Sequence, residues 1–436
     1  MSKIEQLIEQ LCPEGVEYKR LHELTTWDKR FNDVDKSMQP KTISYPYLLA
    51  KDLKSLEVEN GDVRLLETGI SKNLKWTTEE IAGDYVCEGE IVAIPWGGTP
   101  NVKYYKGKFV TADNRIATAN NKSILSNKYL YYWMANNIDT IAKFYRGAGI
   151  QHPSMAGVLN LEIPIPPLPV QQEIVRILDA FTQLEAELEA ELEARKKQYA
   201  YYRDTLLSFE HDDPKFSIKR GQSNLLGLSS GRKLDEVKVE WKRLGEVCEM
   251  RNGYTPSKSK PEYWEDGNIP WFRMEDIRTN GRILSDSIQH ITAEGVKGAG
   301  LFSANSIILA TTATIGEHAL IIVDSLANQQ FTNLSIRKSL ESEIDIKFFF
   351  YYMFIVDEWC KNNTNPGTFA SVDTKKLANV LIPLPPLPVQ QEIVRILDKF
   401  EALTSDLQSG LPAEIEARRK QYEYYRDQLL TFKIKN

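Results

Sequence analysis

Cysteine is scarce and scattered in this 436-residue chain. Its four cysteines, Cys12, Cys87, Cys248 and Cys360, never form a C-x-x-C pair. This spacing argues against a zinc site and against a disulfide framework. An apolar run long enough to cross a membrane is also missing, and the N-terminus lacks the apolar core of a signal peptide. We therefore expect a cytoplasmic protein.

Motifs of the common catalytic and cofactor sites are missing as well. The chain has no G-x-x-x-x-G-K-[ST] loop, no G-x-G-x-x-G after a strand, and no Asp/Asn-Pro-Pro-aromatic tetrapeptide of an amino-methyltransferase. Ile165-Pro-Pro-Leu168 is apolar and cannot orient an exocyclic amine. Glu17–Lys19 and Glu236–Lys238 have the E-x-K spacing of nuclease sites, but neither has a well-placed Asp. The sequence therefore predicts a non-catalytic chain with no cofactor and no metal.

The overall charge gives little information about partners. A net charge of −6 argues mildly against nucleic-acid binding, but an acidic run at Leu184–Glu193 masks the contribution of basic loops elsewhere. An apolar content of 42% with 10% aromatic residues is typical of folded domains.

One stretch occurs twice. Pro166–Asp179 reads PPLPVQQEIVRILD, and Pro385–Asp398 repeats it at every position. Farther along, Glu193–Asp204 returns in closely similar form as Glu416–Asp427. The chain is therefore interpreted as a duplication, in which each half has a globular part and a long helix.

Each repeated stretch predicts a coiled-coil helix. A proline-rich entry is followed by apolar residues spaced by three and four, and two such seams are expected to pack on each other. The first helix contains successive Leu-Glu-Ala-Glu units over Leu184–Ala194. The second lacks them, and its Gly410 and Pro412 predict a local kink.

The globular parts contain β-type runs, turn signals and a short aromatic helix in the same order. In the first half the runs are Tyr85–Pro95 and Lys108–Ala119, and the helix is Lys128–Ala135. In the second half they are Asn305–Thr312 and His318–Val323, with the helix at Lys347–Phe354. The predicted fold class is mixed α/β with an internal repeat. The predicted divisions are residues 1–165 (first domain), 166–212 (first helix), 213–384 (linker and second domain) and 385–436 (second helix).

A short amphipathic helix at Ile4–Leu11 precedes the first half. Glu17–Leu21 returns as Glu240–Leu244, yet sixteen residues precede Glu17 and only nine follow Asp427. The N-terminal helix is therefore expected to complete the second repeat. A Gly/Ser-rich stretch, Lys219–Arg232, predicts a mobile linker between the halves.

Polar and aromatic loops lie at corresponding places in both halves. Arg matches a guanine edge, Asn or Gln matches an adenine edge, and Lys, Ser and Thr hold phosphates. Each residue alone is better explained as part of a solvated turn, but the repetition in both halves favours DNA contact for the set. The candidates in the first half are Lys72, Lys75, Gly97, Gly98, Asn101, Lys103, Arg115, Arg146, Gln151 and His152. Those in the second half are Arg251, Asn252, Tyr254, Ser257, Lys258, Lys260, Arg273, Thr312, Thr314, Asn328, Gln329 and Gln330.

The combination resembles the specificity subunit of type I restriction–modification systems over the whole chain. The resemblance rests on Arg251–Lys258, Asn268–Trp271, Thr311–Gly316, Asn328–Gln330 and the IPxPPLPVQQEIVRIL stretches. It implies two target-recognition domains joined by an antiparallel pair of long helices, each domain reading one half of a split, asymmetric DNA site. It also implies that the helices bind two methylation subunits and then restriction subunits. The first half departs further, with Pro95–Gly98 where the second half has Thr311–Thr314.

Partners and competing functions follow from these patterns. The off-seam tyrosines Tyr201 and Tyr424 are predicted to contact the methylation subunits, because aromatic residues are favoured at interfaces. Two other functions stay open: a self-sufficient DNA methyltransferase, and a coiled-coil adaptor that binds no nucleic acid. The missing catalytic tetrapeptide and cofactor loop count against the methyltransferase.

Overall fold

The computed structural model describes residues 2–70, 74–209, 238–365, 370–405 and 409–435. The predicted linker Lys219–Arg232 lies outside this range. The chain forms two compact units: unit 1 is Met1–Glu187 with Ile415–Asn436, and unit 2 is Leu188–Glu414. The helix over Leu168–Leu206 therefore contributes to both units, and that over Leu387–Ser405 lies within unit 2.

Unit 1 combines a sheet with helices from both ends of the chain. Its strands are β1 (Glu17–Arg20), β2 (Thr25–Trp27), β3 (Val63–Leu66), β4 (Lys75–Thr77), β5 (Cys87–Pro95), β6 (Lys103–Thr111), β7 (Asn114–Ala119), β8 (Tyr145–Arg146), β9 (His152–Pro153) and β10 (Glu162–Ile165). Its helices begin with α1 (Lys3–Leu11), α2 (Leu21–Leu24), α3 (Ala50–Ser55), α4 (Glu79–Ala82), α5 (Asn127–Asn136), α6 (Ile138–Ala142) and α7 (Met155–Leu159). Helix α8 (Leu168–Leu206) starts in unit 1 and ends in unit 2.

The main sheet of unit 1 has the strand order β2-β7-β5-β6-β3-β4. The predicted run at Lys108–Ala119 is two strands, because the chain turns between Thr111 and Asn114. Central strand β5 is buried from Ile91 to Pro95, and aromatic helix α5 packs on it. Buried β-branched residues on a central strand and a helix covering its face are the ordinary requirements of such a sheet.

Unit 2 repeats this order of elements with different lengths. Its helices are α9 (Leu244–Val247), α10 (Met274–Asn280), α11 (Ile346–Asn362), α12 (Thr374–Ala378) and α13 (Leu387–Ser405). Its strands are β11 (Glu240–Arg243), β12 (Cys248–Asn252), β13 (Ile269–Phe272), β14 (Ile283–Leu284), β15 (His290–Ile291), β16 (Ser306–Ala310), β17 (His318–Ile321), β18 (Leu326–Ala327), β19 (Phe331–Ile336), β20 (Thr364–Asn365), β21 (Ser371–Val372) and β22 (Leu381–Leu384). The sheets have the orders β12-β19-β16-β17-β14 and β15-β13-β18.

Each unit has the same pair of strands and the same glutamine contacts where its domain joins the long helix. Strand β1 pairs with β10 in the register Glu17↔Ile165, and β11 pairs with β22 in the register Glu240↔Leu384. The buried amide of Gln171 bonds to the backbone of Ser126, Ile124 and Pro166. In unit 2 Gln390 makes the same three kinds of bond to Asp345, Glu343 and Pro385. The repeated sequence thus fixes the position of each domain on its helix.

The long helices pack antiparallel inside each unit. In unit 1, α8 packs on α14 (Leu411–Leu429), with Phe181 against Tyr425 and Glu185 paired with Arg419. In unit 2, Tyr199 and Tyr202 on the later part of α8 stack on Phe400 of α13, at 6.4 and 5.1 Å between ring centroids.

The second repeated stretch is two helices, where the sequence predicted one kinked helix over residues 385–436. Helix α13 ends at Ser405, and α14 begins at Leu411. Gly410 precedes α14, and Pro412 lies in its first turn. A proline is tolerated in a first turn, where its missing N–H has no helical partner, but it interrupts a helix arriving from before. The predicted kink is therefore an interruption of the helix, with Ser409 and Gly410 outside both helices.

The ends of the chain meet in unit 1, as the repeat lengths predicted. Val16 bonds to the backbone of Lys433 and Lys435, and α1 shares a core with the end of α14. Lys3 pairs with Glu173 at 2.8 Å. Hydrogen bonds from Arg176 and then Lys3 lower the pKa of the Glu173 carboxyl to about 2. The ion pair between Lys3 and Glu173 stabilises the packing of α1 at pH values above the ordinary pKa of Glu. This stabilisation is lost as the pH falls towards 2 and the Glu173 carboxyl takes up a proton.

None of the helices in the described part of the chain is both long enough and apolar enough to serve as a membrane span.

Candidate nucleic-acid interface

In unit 1 the turn after β5 and the β8–β9 hairpin form one surface. The backbone N–H of Gly98 donates to the carbonyl of Gln151 at 3.1 Å, and the Nδ1 of His152 donates to the carbonyl of Trp96 at 2.8 Å. A Cβ on Gly97 would lie 2.9 Å from the Ile150 side chain, so glycine permits this close approach. The structure thus brings Gly97, Gly98, Gln151 and His152 together. The side chains of Gln151 and His152 are exposed, as is neighbouring Arg146.

Arg115 lies behind this surface rather than on it. Its side chain is only 7% exposed, its guanidinium pairs with Asp113 at 2.8 Å, and it stacks over the Trp96 ring at 3.9 Å. Asp113 also pairs with Lys29 at 3.1 Å. Burial raises the pKa of the Asp113 carboxyl, but Arg115 and Lys29 together hold it below its ordinary value. Arg115 therefore positions Trp96 and Asp113, where the sequence predicted a DNA contact.

Three further candidates of the first half bond to protein groups. Asn101 is buried and donates to the carbonyls of Thr68 and Thr99, each at 3.0 Å. Lys103 donates to the carbonyl of Thr68 at 2.9 Å, and burial lowers the pKa of its amine to about 8. Lys75 pairs with Glu67 at 2.8 Å. These donors fix the loop after β3, and Lys72 lies outside the described residues.

In unit 2 the segment after β12 lies on the β18–β19 turn. The N–H of Gly253 donates to the carbonyl of Phe331, and that of Tyr254 to the carbonyl of Ala327, both at 2.9 Å. A Cβ on Gly253 would lie 2.3 Å from the carbonyl oxygen of Asn328, which requires glycine at this position. The two segments therefore hold Asn252 beside the Asn328–Gln330 run.

The turn side chains bond to one another across this junction. The hydroxyl of Thr255 donates to Oε1 of Gln329 at 2.5 Å, and Oδ1 of Asn328 accepts from the N–H of Gln330 at 3.0 Å. Thr312 forms an isolated bridge with Ser371 beside the β20–β21 hairpin. Thr312 and Thr314 are half-buried on the turn after β16. The structure therefore brings Asn252 together with Asn328–Gln330 and places Thr312 and Thr314 on the turn after β16. Their contact with DNA stays a prediction.

Three other candidates of the second half hold the protein's own loops. The guanidinium of Arg251 donates to the carbonyls of Ala299 and Leu301 and lies 4.7 Å from the Phe302 ring. The hydroxyl of Tyr254 accepts from the N–H of Lys297 at 2.6 Å. Arg273 pairs with Glu275 at 3.1 Å. These contacts hold the neighbouring loops, and DNA binding by the three side chains stays a prediction.

The loop after β12 carries exposed polar side chains. Ser257, Lys258 and Lys260 are all exposed, and Lys260 donates to the hydroxyl of Tyr263 at 3.1 Å. Lys258 has no ion pair with any residue that the structure describes. Such lysines are suited to neutralise phosphates without reading bases. The two off-seam tyrosines are also exposed, Tyr201 by 51% and Tyr424 by 60%.

The strand registers show which positions of the two units are equivalent. Trp27 pairs with Ala117, which pairs with Val92; in unit 2 Met250 pairs with Leu334, which pairs with Ile307. Two residues after Trp27 and Met250 lie Lys29 and Asn252, and two residues before Ala117 and Leu334 lie Arg115 and Thr332. Four residues after Val92 and Ile307 lie Trp96 and Thr311. We call these positions the three-strand junction.

The three-strand junction carries different chemistry in each unit. In unit 1 it consists of a lysine, an arginine and an indole joined through Asp113. In unit 2 it consists of an amide and two hydroxyls. Lys29, Asp113 and Thr332 were not predicted as site residues, because the strand pairing that brings them together leaves no local motif in the sequence. Thr311 belongs to the Thr311–Gly316 segment on which the resemblance rests.

Comparison with known proteins shows the family and the fold of the chain. The Type I restriction modification DNA specificity domain matches the chain twice, at residues 13–194 and 236–417. The chain belongs to this family. The chain is 39% identical over 329 residues to the EcoR124I/EcoR124II specificity subunit of Escherichia coli, with 72% of each chain covered. It is 56% identical over 207 residues to the EcoprrI specificity subunit of Escherichia coli, covering 46% of this chain but only 52% of that relative.

Solved structures support the fold class. The chain aligns with the type I restriction-modification S subunit of M. genitalium over 95% of both chains, at 16% identity and a TM-score of 0.53. It also aligns with a chain from a study of complex assembly and conformational transition of the type I R-M system, covering 96% of this chain and 98% of that one, at 18% identity and a TM-score of 0.55. The mixed α/β fold with two repeated domains and long helices is thus confirmed.

Proposed function

We propose that this chain is the sequence-specific DNA-recognition subunit of a type I restriction–modification complex. Each unit would read one part of a bipartite, asymmetric site, and the chain itself would contribute no catalytic group and no cofactor. The observation that carries the proposal is the three-strand junction, where equivalent positions of one framework hold Lys29, Arg115 and Trp96 in one unit and Asn252, Thr332 and Thr311 in the other. The framework is the same in both units, while the side chains that support the neighbouring loops differ, which is what two readers of unlike half-sites require. The cytoplasmic location stays a prediction.

Lys258 and Lys260 test the DNA-binding part of this proposal. Both side chains are exposed on one loop, and loss of one phosphate contact lowers the slope of log affinity against log salt by about one unit. We expect Lys258→Ala and Lys260→Ala each to weaken binding equally on cognate and mismatched duplexes. Fluorescence anisotropy of the complex with its methylation subunits, over a series of salt concentrations, measures both quantities.

Lys338→Ala is the matched control for the loop lysines. Lys338 is exposed in the same unit but follows the far end of β19, whereas Asn328–Gln330 precede its near end. The control should leave the salt slope unchanged. A wild-type complex that binds no duplex even at low salt would refute DNA recognition and favour the adaptor function, and methyl transfer by the chain alone would favour the methyltransferase.

We propose that the shared helices bind two copies of a methylation subunit, and restriction subunits thereafter. Support comes from matched contacts that both halves repeat, in which the lysine and the aspartate are partly exposed and the tyrosine is buried. Lys128 and Tyr132 contact Asp179 at 2.8 and 2.6 Å, while Lys347 and Tyr351 contact Asp398, each at 2.7 Å. Arg176 and Arg395 are exposed at identical positions of the repeated stretch. Two like surfaces suit two copies of one partner.

Tyr201 and Tyr424 test this partner surface. Both side chains lie off the coiled-coil seam and are more than half exposed, at 51% and 60%. We expect the double variant Tyr201→Ala/Tyr424→Ala to retain less methylation subunit in co-purification, because buried aromatic anchors dominate binding energy at interfaces. Tyr85→Ala, a change at another exposed tyrosine on the first domain, should retain wild-type amounts. Equal retention by both variants, with unchanged circular dichroism, would contradict the assignment.

A further inference from the structure

Two buried threonines connect to the exposed amide of Asn252. The hydroxyl of Thr332 donates to Oδ1 of Asn252 at 2.9 Å, and the hydroxyls of Thr332 and Thr311 lie 2.9 Å apart. Thr332 is 1% exposed and Thr311 is 5% exposed, whereas Asn252 is exposed at the end of β12. Asn252 lies on β12 and Thr332 on the neighbouring strand β19. Thr311 directly follows β16, whose Leu309 pairs with Thr332.

Counting hydrogens gives this relay a direction. A threonine hydroxyl has a single proton to donate. Because the proton of Thr332 is directed to Asn252, the bond between the two hydroxyls takes its proton from Thr311. The relay therefore runs from Thr311 through Thr332 to Oδ1 of Asn252, and it fixes which end of the amide faces the protein.

The orientation determines what Asn252 presents outward. Both protons of Nδ2 and one remaining acceptor site of Oδ1 are left for a ligand. An adenine edge in the major groove needs one acceptor for its N6 amino group and one donor for N7, which an asparagine amide supplies together. The side chains of Asn328, Gln329 and Gln330 bond to other groups of the same turns. The amide of Asn252, in contrast, is oriented by the buried hydroxyl of Thr332.

We propose that Thr332, supported by Thr311, is a positioning residue that orients Asn252 to read one adenine in the half-site of unit 2. The inference rests on the proposed function. The equivalent positions in unit 1 hold Arg115 and Trp96, so this place in the sheet carries different side chains in the two units. Changing the buried residue should therefore change the choice of one base pair without any change in the group that touches it.

The test uses the complex of the full chain with its methylation subunits. Methylome sequencing of cells carrying the wild-type genes first defines the site. Anisotropy then compares the cognate duplex with duplexes substituted singly at every position of both half-sites. We expect Thr332→Val to reduce discrimination at one A·T pair of one half-site by about tenfold, within the range of a bidentate contact, and to leave every other position within about twofold. Thr332→Ser, which restores the donor, should behave as wild type.

A double-mutant cycle separates positioning from general destabilisation. Asn252→Ala should lose discrimination at the same base pair, and adding Thr332→Val to Asn252→Ala should cause no further loss there, since Thr332 acts through that amide. Thr279→Val is the matched control, because Thr279 is exposed on α10 of the same unit. If Thr332→Val does not assemble, Thr311→Val takes its place, with a smaller loss expected at the same pair.

The outcomes are distinct. Unchanged discrimination in Thr332→Val, an equal loss of affinity on all duplexes, or a further loss in the double variant would each overturn the positioning role. A wild-type complex without any sequence choice would refute the proposed function itself. Loss of choice at one A·T pair in both single variants, with no further loss when they are combined, supports the inference.

Discussion

Transplanting the second reader into the first position is expected to give a complex that methylates a site with two copies of one half-site. The change replaces Leu21–Leu161 with Leu244–Val380 of the same chain. These bounds are equivalent, because the N–H of Leu21 donates to the carbonyl of Leu161 and that of Leu244 to the carbonyl of Val380. The native half-site of unit 1 should disappear completely from the methylome.

The transplant should fold because its contacts with the helix are already matched. Gln171 of unit 1 needs two backbone groups from the domain, and the incoming segment supplies them from Asp345 and Glu343, which bond to Gln390 in unit 2. Lys347 and Tyr351 likewise replace Lys128 and Tyr132 opposite Asp179. Strands β1 and β10 keep their own pairing, since both lie outside the exchanged segment.

The reciprocal exchange is the control for position. Placing Leu21–Leu161 in unit 2 should give two copies of the other half-site, with the same yield of assembled complex. A methylome in which either exchange alters both half-sites would show that the readers are not independent. A site unchanged by both exchanges would place recognition outside the exchanged segments.

The sequence predicted the framework well because the framework is periodic and repeated. The identical PPLPVQQEIVRILD stretches fix the starts of α8 and α13, and turn residues bound most strands. The break before α14 was predicted as a kink, because a proline in sequence does not reveal whether the helix before it continues. The division into units was not predicted, since it depends on which part of α8 packs on α13 and which on α14.

The candidate site was predicted by location but not residue by residue. Gly97 and Asn328–Gln330 lie in turns and Asn252 ends strand β12, and their contact with DNA stays a prediction. Arg115, Lys103 and Arg251 have the right chemistry but bond to the protein, because burial and the carbonyls around them are set by the fold. Thr332 and Lys29 become visible only when strands distant in sequence are aligned by their registers.

The Leu-Glu-Ala-Glu tract leads to the second large expected effect. It lies within the continuous helix α8, and the boundary between the compact units falls inside it, between Glu187 and Leu188. Its leucines are half-buried, and the glutamates beside them include exposed Glu187 and Glu189. A further copy would put another leucine on nearly the same face, so the packing of α8 should tolerate it.

Insertion of one more Leu-Glu-Ala-Glu after Glu191 is expected to lengthen the spacer between the half-sites by one base pair. Four helical residues add about 6 Å and turn the following chain by about 40° beyond a full revolution. One base pair of B-DNA turns by about 35° and rises by about 3.4 Å. The rotation thus matches one base pair, while the rise lies between one and two. The rotation should determine the new spacer length, because a domain turned away from the groove faces the phosphate backbone instead of the base edges.

Methylome sequencing of cells carrying the insertion variant measures the spacer directly. The same two half-sites with one added nonspecific base pair would support the helix as a ruler, and two added base pairs would mean that length decides instead of rotation. Replacing one existing Leu-Glu-Ala-Glu by Leu-Lys-Ala-Lys keeps the length and changes only the charge, so it should keep the wild-type spacer. An unchanged spacer in the insertion variant, with methylation retained, would mean that the tract is only a solvated acidic face and that its length has no part in recognition.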